Sequence, residues 1–139
     1  MPDIGILPVP DRDSVPYWAA LANGTVELQQ CDSCGHWTWP PRPICSNCQS
    51  DQLSWRPIAG TGSVYSWVIT HKAYVPAMTD LVPFTIAVVR IDEQDDVLIP
   101  GIVVDAGEVE MRQGLRVRAV TEPLADEIGT LCWTPTPEG

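Results

Sequence analysis

The chain has 139 residues, 45% of them hydrophobic, and carries eight Lys and Arg against 18 Asp and Glu, for a formal net charge of −10. This length suits one domain of ordinary size, or a small domain with an appendage. Affinity for nucleic acid depends on basic side chains that neutralise phosphates, so the acidic balance argues against that class of partner and leaves it a minor alternative.

Location in the cell is inferred from what the sequence lacks. No segment has the roughly 20 apolar residues that a membrane-spanning helix requires. The N-terminus has neither the basic stretch nor the long apolar run of a signal peptide. Five cysteines in a pattern typical of metal binding fit a reducing compartment, so we expect a cytoplasmic protein without membrane contact.

The first predicted element is a short helix that begins after Ser14 and ends before Gly24. Serine is a good N-terminal cap, and glycine tolerates the left-handed backbone that ends many helices. An apolar stripe on this helix has two open interpretations, which are docking on the chain's own core and contact with another subunit. The stripe consists of Tyr17, Trp18 and Leu21.

Two Cys-x-x-Cys pairs follow a short predicted strand, and their members are Cys31, Cys34, Cys45 and Cys48. Four thiolates from two tight turns can converge on one tetrahedral zinc ion. Because all four ligands are cysteines, no position is left for water or substrate, which indicates a structural metal. Redox iron in the same sulfur cage and a thiol-exchange pair remain as alternatives.

Tryptophan is abundant, with six residues against a single Phe. Trp37 and Trp39 lie between the two cysteine pairs, where they could cover the metal. Aromatic side chains are favoured anchors in protein interfaces. We therefore predict that Trp37 and Trp39, together with the helix stripe, contact a partner chain.

Short β segments separated by turn residues occupy the rest of the chain, at 53–58, 63–71, 85–92, 97–104, 115–122 and 128–133. Near-regular short strands without a long helix are typical of a small closed barrel. The fold class is therefore mainly β, and we divide the chain into an arm and helix (1–24), a zinc ribbon (25–58) and a five-stranded barrel (59–139). Cys132 lies in the last strand, where we expect a buried and inert thiol.

The order of these motifs, from about residue 13 to residue 134, resembles a known family of proteins. The matching segments are Tyr17-Trp18, Cys31 to Gly35, Pro40-Pro41-Arg42, Cys45 to Cys48, Leu53-Ser54-Trp55 and residues 60–66. The family joins a zinc ribbon to an OB fold and is catalogued as "domain of unknown function thirty-five". The resemblance implies an N-terminal helix and a rubredoxin-like zinc ribbon, followed by a five-stranded OB-fold barrel.

The resemblance also implies a function. Family members accompany thiolase-fold enzymes that act on acyl-CoA, including thiolases and the aldolases that shorten steroid side chains. The chain is then expected to be a non-catalytic subunit of a hetero-oligomer that stabilises its partner, with a structural zinc ion and a share in holding CoA or the acyl group. The alternatives are a stand-alone acyl-CoA-binding module and an enzyme in its own right.

Two groups of barrel residues are candidates for contact with CoA or with the partner. The first group, His71, Lys72 and Tyr74, follows the first long strand and combines an acid or base, a cation and a phenol. It has three open interpretations, which are a mobile loop, a cover for the partner's active site or for CoA phosphates, and independent catalysis.

The second group is the basic cluster Arg112, Arg116 and Arg118. Alternate residues of a strand share a face, so Arg116 and Arg118 point outward together while Leu115 and Val117 face the barrel interior. One interpretation is a solvated face that pairs with acids at positions 108, 110 or 122. The other is contact with a CoA phosphate or an acidic edge of the partner, which an arginine fork would suit.

Overall fold

The computed structural model describes residues 9–73, 76, 79 and 82–136. Within these residues it contains a short helix, a three-stranded sheet and a closed five-stranded barrel. The mainly β fold class and its order of parts are confirmed. The elements are α1 Val15–Ala22, β1 Glu27–Cys31, β2 Trp37–Thr38, β3 Leu53–Pro57, β4 Thr61–Thr70, β5 Phe84–Ile91, β6 Leu98–Val103, β7 Arg116–Ala125 and β8 Ile128–Pro135.

The three-stranded sheet forms the ribbon, with β1 between β2 and β3 in antiparallel pairing. Gln29 sits at its centre, opposite Thr38 on one side and Trp55 on the other. Cys31 ends β1 opposite Leu53. The register therefore delivers the first cysteine pair to the end of the sheet, where the chain turns back toward β2.

The barrel has the strand order β4-β5-β6-β8-β7, and β7 closes against β4. Its five strands match the five predicted barrel segments to within three residues at each end. The barrel closes through a short ladder, because β4 pairs with β7 only through Thr61, Gly62 and Ser63. Beyond a register shift between Val64 and Ser66, β4 pairs with β5 alone.

The helix docks on β7 and β8 and contacts β1. Leu21 is fully buried and Tyr17 is 4% exposed, both within the cluster that forms the core. The predicted partner contact is therefore wrong for Tyr17 and Leu21, because the chain's own barrel and ribbon cover them. Trp18 and Trp39 remain partly buried around Tyr17, with ring centroids 5.1 and 4.7 Å from it.

Close approach of the helix to β8 depends on a residue without a side chain. A Cβ atom built on Gly129 would lie 2.3 Å from the backbone nitrogen of Ala22 and 2.3 Å from the carbonyl carbon of Leu21. Backbone atoms of a packed helix cannot yield by the ångström or more that this contact would require. Gly129 therefore sets the distance between α1 and the barrel.

We expect Gly129→Ala to destabilise the chain by about 1–3 kcal/mol, because the added methyl group forces α1 away from its place on β8. Urea unfolding of the metal-loaded protein, monitored by tryptophan fluorescence, measures this difference. Unchanged stability would mean that the helix is not firmly docked on the barrel.

Candidate metal centre and barrel surface

Four cysteine sulfurs meet at the end of the ribbon sheet. All four Sγ atoms of Cys31, Cys34, Cys45 and Cys48 lie within 4.8 Å of one another. The Cys31 and Cys48 sulfurs are 3.6 Å apart, and those of Cys34 and Cys45 are 3.7 Å apart. Tetrahedral bonds of about 2.3 Å from zinc to sulfur imply sulfur–sulfur separations of roughly 3.8 Å. The donor set and its spacing therefore fit a tetrathiolate metal ion.

Each cysteine pair forms a turn whose backbone N–H groups point at the leading sulfur. The N–H groups of Ser33 and Cys34 donate to Cys31 Sγ at 3.3 and 3.4 Å. Those of Asn47 and Cys48 donate to Cys45 Sγ at the same two distances. Such donors stabilise a thiolate over a thiol, as a metal ligand needs.

The acidity of the leading cysteines follows from these contacts. The backbone N–H of Cys34, assisted by that of Ser33, lowers the pKa of Cys31 to about 6. The backbone N–H of Cys48 likewise lowers the pKa of Cys45. The turns therefore prepare two of the four sulfurs as thiolates before any metal charge acts on them.

A side chain of the barrel holds the outer edge of the ribbon. The Trp37 N–H donates to Gln94 Oε1 at 2.8 Å, and Gln94 Nε2 donates to the Trp37 carbonyl at 2.7 Å. His36 lies beside this contact, with its Nε2 atom 3.8 Å from Asp96 Oδ2. The Gln94 amide thus pairs with the Trp37 backbone as a neighbouring strand would, and it joins the ribbon to the barrel.

Two arginines of the predicted basic cluster lie on one exposed face of β7. Arg116 and Arg118 are exposed on β7 while Leu115 and Val117 are buried, as alternation predicted. Arg116 forms two hydrogen bonds to the carboxylate of Asp92 and one to Ser63 Oγ at 3.0 Å. The predicted pairing with an acid at position 108, 110 or 122 is therefore wrong for Arg116. Strand register brings the end of β5 to it instead.

The two candidate groups on the barrel do not form one site. Arg116 lies opposite Ser63 near the start of β4, whereas His71 and Lys72 follow the end of that strand. Eight residues of strand separate positions 63 and 71, which is roughly 26 Å. His71, Lys72 and Arg112 are exposed, and Tyr74 lies outside the described residues.

Cys132 is buried in β8, with 2% of its surface exposed. Burial raises the pKa of its thiol to about 11, so the neutral form dominates at physiological pH. The expected inert thiol is confirmed.

A cavity of about 480 Å³ opens at one end of the barrel, between the start of β5 and the loop after β6. Its lining is largely apolar and includes Phe84, Ile102, Val103, Val104, Val109 and Met111. The cavity can accept an apolar group, and among the described residues of its lining the one ionisable side chain is Asp105.

Sequence reasoning missed two features of this surface. Gln94 lay in a segment interpreted only as a turn, and no local signal marks its contact with Trp37. The second is an exposed apolar stretch at the far end of β4, interpreted as an ordinary barrel strand. The sequence could have revealed it, because Trp67, Val68 and Ile69 are three consecutive apolar residues. In a strand with one solvated face, apolar and polar residues alternate instead.

A tetrathiolate ribbon packed against a closed five-stranded barrel defines the class of zinc-ribbon and OB-fold proteins. Comparison with family models identifies the ChsH2 rubredoxin-like zinc ribbon domain over residues 18–54 and the ChsH2 C-terminal OB-fold domain over residues 55–122. Together these models cover most of the chain. The chain belongs to the ChsH2 family of DUF35 proteins.

Curated relatives include a probable enoyl-CoA hydratase alpha subunit from Thermomonospora curvata, 30% identical over 75% of this chain and 33% of the relative. The 3-oxo-4,17-pregnadiene-20-carboxyl-CoA hydratase alpha subunit of Mycobacterium tuberculosis is 30% identical over 85% of this chain and 36% of the relative. The chain spans about a third of the length of these two proteins. A DUF35 domain-containing scaffold protein from Pyrococcus furiosus is 29% identical over 75% of both chains.

Two solved structures share the architecture. A chain of the Ltp2–ChsH2(DUF35) aldolase matches with a TM-score of 0.79 at 25% identity, over 92% of this chain and 98% of that chain. A DUF35 family protein from Sulfolobus solfataricus matches with a TM-score of 0.59 at 16% identity, over 90% and 86% of the two chains. The second likeness concerns the fold alone. The family predicted from the sequence motifs is confirmed.

The longest helical segment described is α1, with eight residues, and no helix in the described ranges could cross a membrane.

We expect Cys45→Ser to lose bound zinc and to leave misfolded, poorly soluble protein, because three remaining thiolates cannot close the cage. Cys132→Ala is the matched control, since it removes a cysteine that lies outside the cage. Metal analysis of the purified variants should find about one zinc per chain in the control alone. A full complement of zinc in Cys45→Ser would contradict the assignment.

Stability should depend on pH through Asp92. Its hydrogen bonds with Arg116 lower its pKa from 3.8 to about 2, so the pair contributes fully above pH 4 and loses its contribution as the pH falls toward 2. The two side chains are partly exposed, which limits the effect to about 1 kcal/mol or less. Asp92→Asn should be less stable than the native chain at pH 6 in urea, and the difference should shrink at pH 2–3. A difference that is constant across this range would contradict the pairing.

Proposed function

We propose that the chain is a non-catalytic accessory subunit that binds and stabilises a thiolase-fold enzyme acting on acyl-CoA, an aldolase or thiolase of lipid or steroid side-chain metabolism. One observation carries this proposal. The match to a chain of the Ltp2–ChsH2(DUF35) aldolase extends over 92% of this chain and 98% of that chain. A likeness that spans both chains end to end supports an equivalent place in a similar complex.

The chemistry of the described residues supports an accessory role. Four of the five cysteines belong to the metal cage, and the fifth is a buried neutral thiol. The cavity at the barrel end has an apolar lining without a nucleophile beside a base. His71 and Lys72 are exposed at a strand end, distant from the arginines. The reaction therefore belongs to the partner.

The accessory subunit would offer a rigid surface and a place for part of the substrate. The apolar cavity of about 480 Å³ is large enough to extend an acyl channel of the partner. Arg112 and Arg118 are exposed and could meet CoA phosphates, whereas Arg116 is engaged by Asp92. Trp18, Trp37 and Trp39 remain our predicted partner contacts on the ribbon side.

A hydratase is the second candidate for the partner, because two curated relatives are named as hydratase alpha subunits. In those proteins the similar region is about a third of a longer chain. A thiolase-fold enzyme is our first candidate, because the chain of the Ltp2–ChsH2(DUF35) aldolase matches this chain with a TM-score of 0.79 at 25% identity.

The test is recovery of the partner from the source organism. The full chain, tagged at one end and expressed in its own cells, should co-purify with a thiolase-fold subunit in fixed stoichiometry, identified by mass spectrometry. Cys45→Ser serves as the control for a misfolded bait. Recovery of a hydratase would favour the second candidate, and recovery of no acyl-CoA enzyme would refute the proposal.

Two experiments on the purified chain distinguish the accessory role from the remaining alternatives. Calorimetric titration with CoA should find no tight binding, because the cavity and the arginines complete a site only with the partner. Tight binding by the isolated chain would indicate a stand-alone acyl-CoA-binding module. Aldolase or thioesterase turnover by the isolated chain would indicate an enzyme.

A further inference from the structure

The far half of β4 extends beyond its pairing with β7, stays paired with β5 and is exposed. Residues 65–69 are five consecutive exposed positions in a ten-residue strand. They follow the register shift at Val64 and Ser66, beyond which β5 is the strand that pairs with β4. We name residues 65–70 and 84–88 the β4–β5 arm.

The arm presents apolar side chains on both of its faces. Trp67 lies opposite Ala87 and Val68 lies opposite Ile86, so the two residues project to opposite sides. Val68 is 60% exposed, Ile69 is 52% exposed and Trp67 is 36% exposed. A continuous apolar run is typical of a strand that is covered on both faces, and here neither face is fully covered by the chain itself.

One edge of the arm also lacks a backbone partner among the described residues. Alternate residues of an antiparallel strand turn their N–H and C=O groups to opposite edges. On the side away from β5, the hydrogen bond found within 65–70 among the described parts of the chain is that donated by the Gln113 side chain to the Tyr65 carbonyl, at 3.4 Å. Residues 63–70 contain no Pro and no charged residue, the usual protections of an exposed strand edge.

We propose that the β4–β5 arm is the docking strand of this subunit, whose open edge pairs with an edge strand of the partner enzyme. This inference rests on the proposed function. Backbone pairing would satisfy the open edge, and the partner's side chains would cover Trp67 and Ile69 on one face and Val68 on the other. The open edge thus specifies an extended polypeptide segment as its occupant.

Charge at the two ends of the arm specifies the partner further. The Arg90 guanidinium lies 5.0 Å from the centre of the Tyr65 ring at one end. His71 and Lys72 follow Thr70 at the other end. The complementary surface is therefore an apolar strand edge with negative charge near its ends, which suits the formal positive charge of Arg90 and Lys72.

The same charges argue against a second copy of this chain as occupant. Antiparallel pairing of two arms centred on Val68 would set position 65 opposite position 71 of the other copy. Arg90, which covers Tyr65, would then lie near Lys72 of the other copy at both ends of the pairing, and like charges opposite each other destabilise a sheet.

Val68→Lys tests the docking strand, with Val9→Lys as the matched control. Both positions are exposed, at 60% and 92%, so neither change should harm folding. A lysine at position 68 would meet the apolar partner surface, and we expect the dissociation constant for the co-purified thiolase-fold subunit to rise at least about ten-fold. The control should bind as the native chain does, and calorimetry measures all three.

Equal binding by Val68→Lys and the native chain would overturn the docking strand while leaving the accessory role intact. Failure of the native chain to bind any acyl-CoA enzyme subunit would remove the proposed function, and the docking strand with it. In the native complex, those amides of residues 65–70 that point away from β5 should gain protection from hydrogen exchange. Absence of that protection in a formed complex would contradict strand pairing.

Sedimentation of the isolated chain decides the self-association alternative. We expect a monomer at micromolar concentration for the native chain and for Val68→Lys. A native dimer that Val68→Lys converts to monomer would assign the arm to a second copy and overturn the proposal.

Discussion

Convergence of four sulfurs on one point is the constraint on which the N-terminal third of this protein depends. The ribbon has three short strands, of which β2 contains two residues, and such a sheet cannot stabilise itself. Binding of zinc to four thiolates supplies about 10–16 kcal/mol at neutral pH. This is as large as the net stability of a typical domain, about 5–15 kcal/mol. We therefore expect order in the ribbon, and with it the position of Trp37 and Trp39, to depend on a metal ion held by the four cysteines.

Ribbon and barrel share one hydrophobic core. Val26 and Leu28 from the ribbon side belong to the same buried cluster as Val64, Val89 and Trp133 of the barrel. Trp133 fills the barrel interior and donates from Nε1 to the Ile99 carbonyl at 3.2 Å. The helix seals this cluster from outside. One continuous core therefore joins the ribbon, the helix and the barrel, although the sequence divides into segments with different patterns.

Most of the fold could be predicted from local patterns in the sequence. The spacing of the cysteines predicted the cage, and alternation predicted which side of β7 is buried. These signals depend on residues close together in sequence. The family resemblance added the order of the parts, and our division at residues 24 and 58 stays a prediction.

What the sequence did not predict depends on long-range register. Asp92 binds Arg116 only because β5, β4 and β7 align across the barrel. The sequence had indicated acids that lie nearer to Arg116 along the chain. The β4–β5 arm is exposed because β7 stops pairing with β4 after three residues, which is a property of barrel closure. Tyr17 and Leu21 were predicted to contact a partner and are buried in the chain itself, because an apolar stripe in a sequence does not indicate which surface covers it. Each of these outcomes required the whole topology.

Both hydrogen bonds between Gln94 and Trp37 are made to main-chain atoms of Trp37. An amide that binds only the N–H and C=O of its target is indifferent to the side chain which that residue carries. Position 37 could therefore exchange its indole for another group while these two hydrogen bonds to Gln94 are kept. A joint of this kind permits the outer surface to diversify among family members without any change in the frame that presents it.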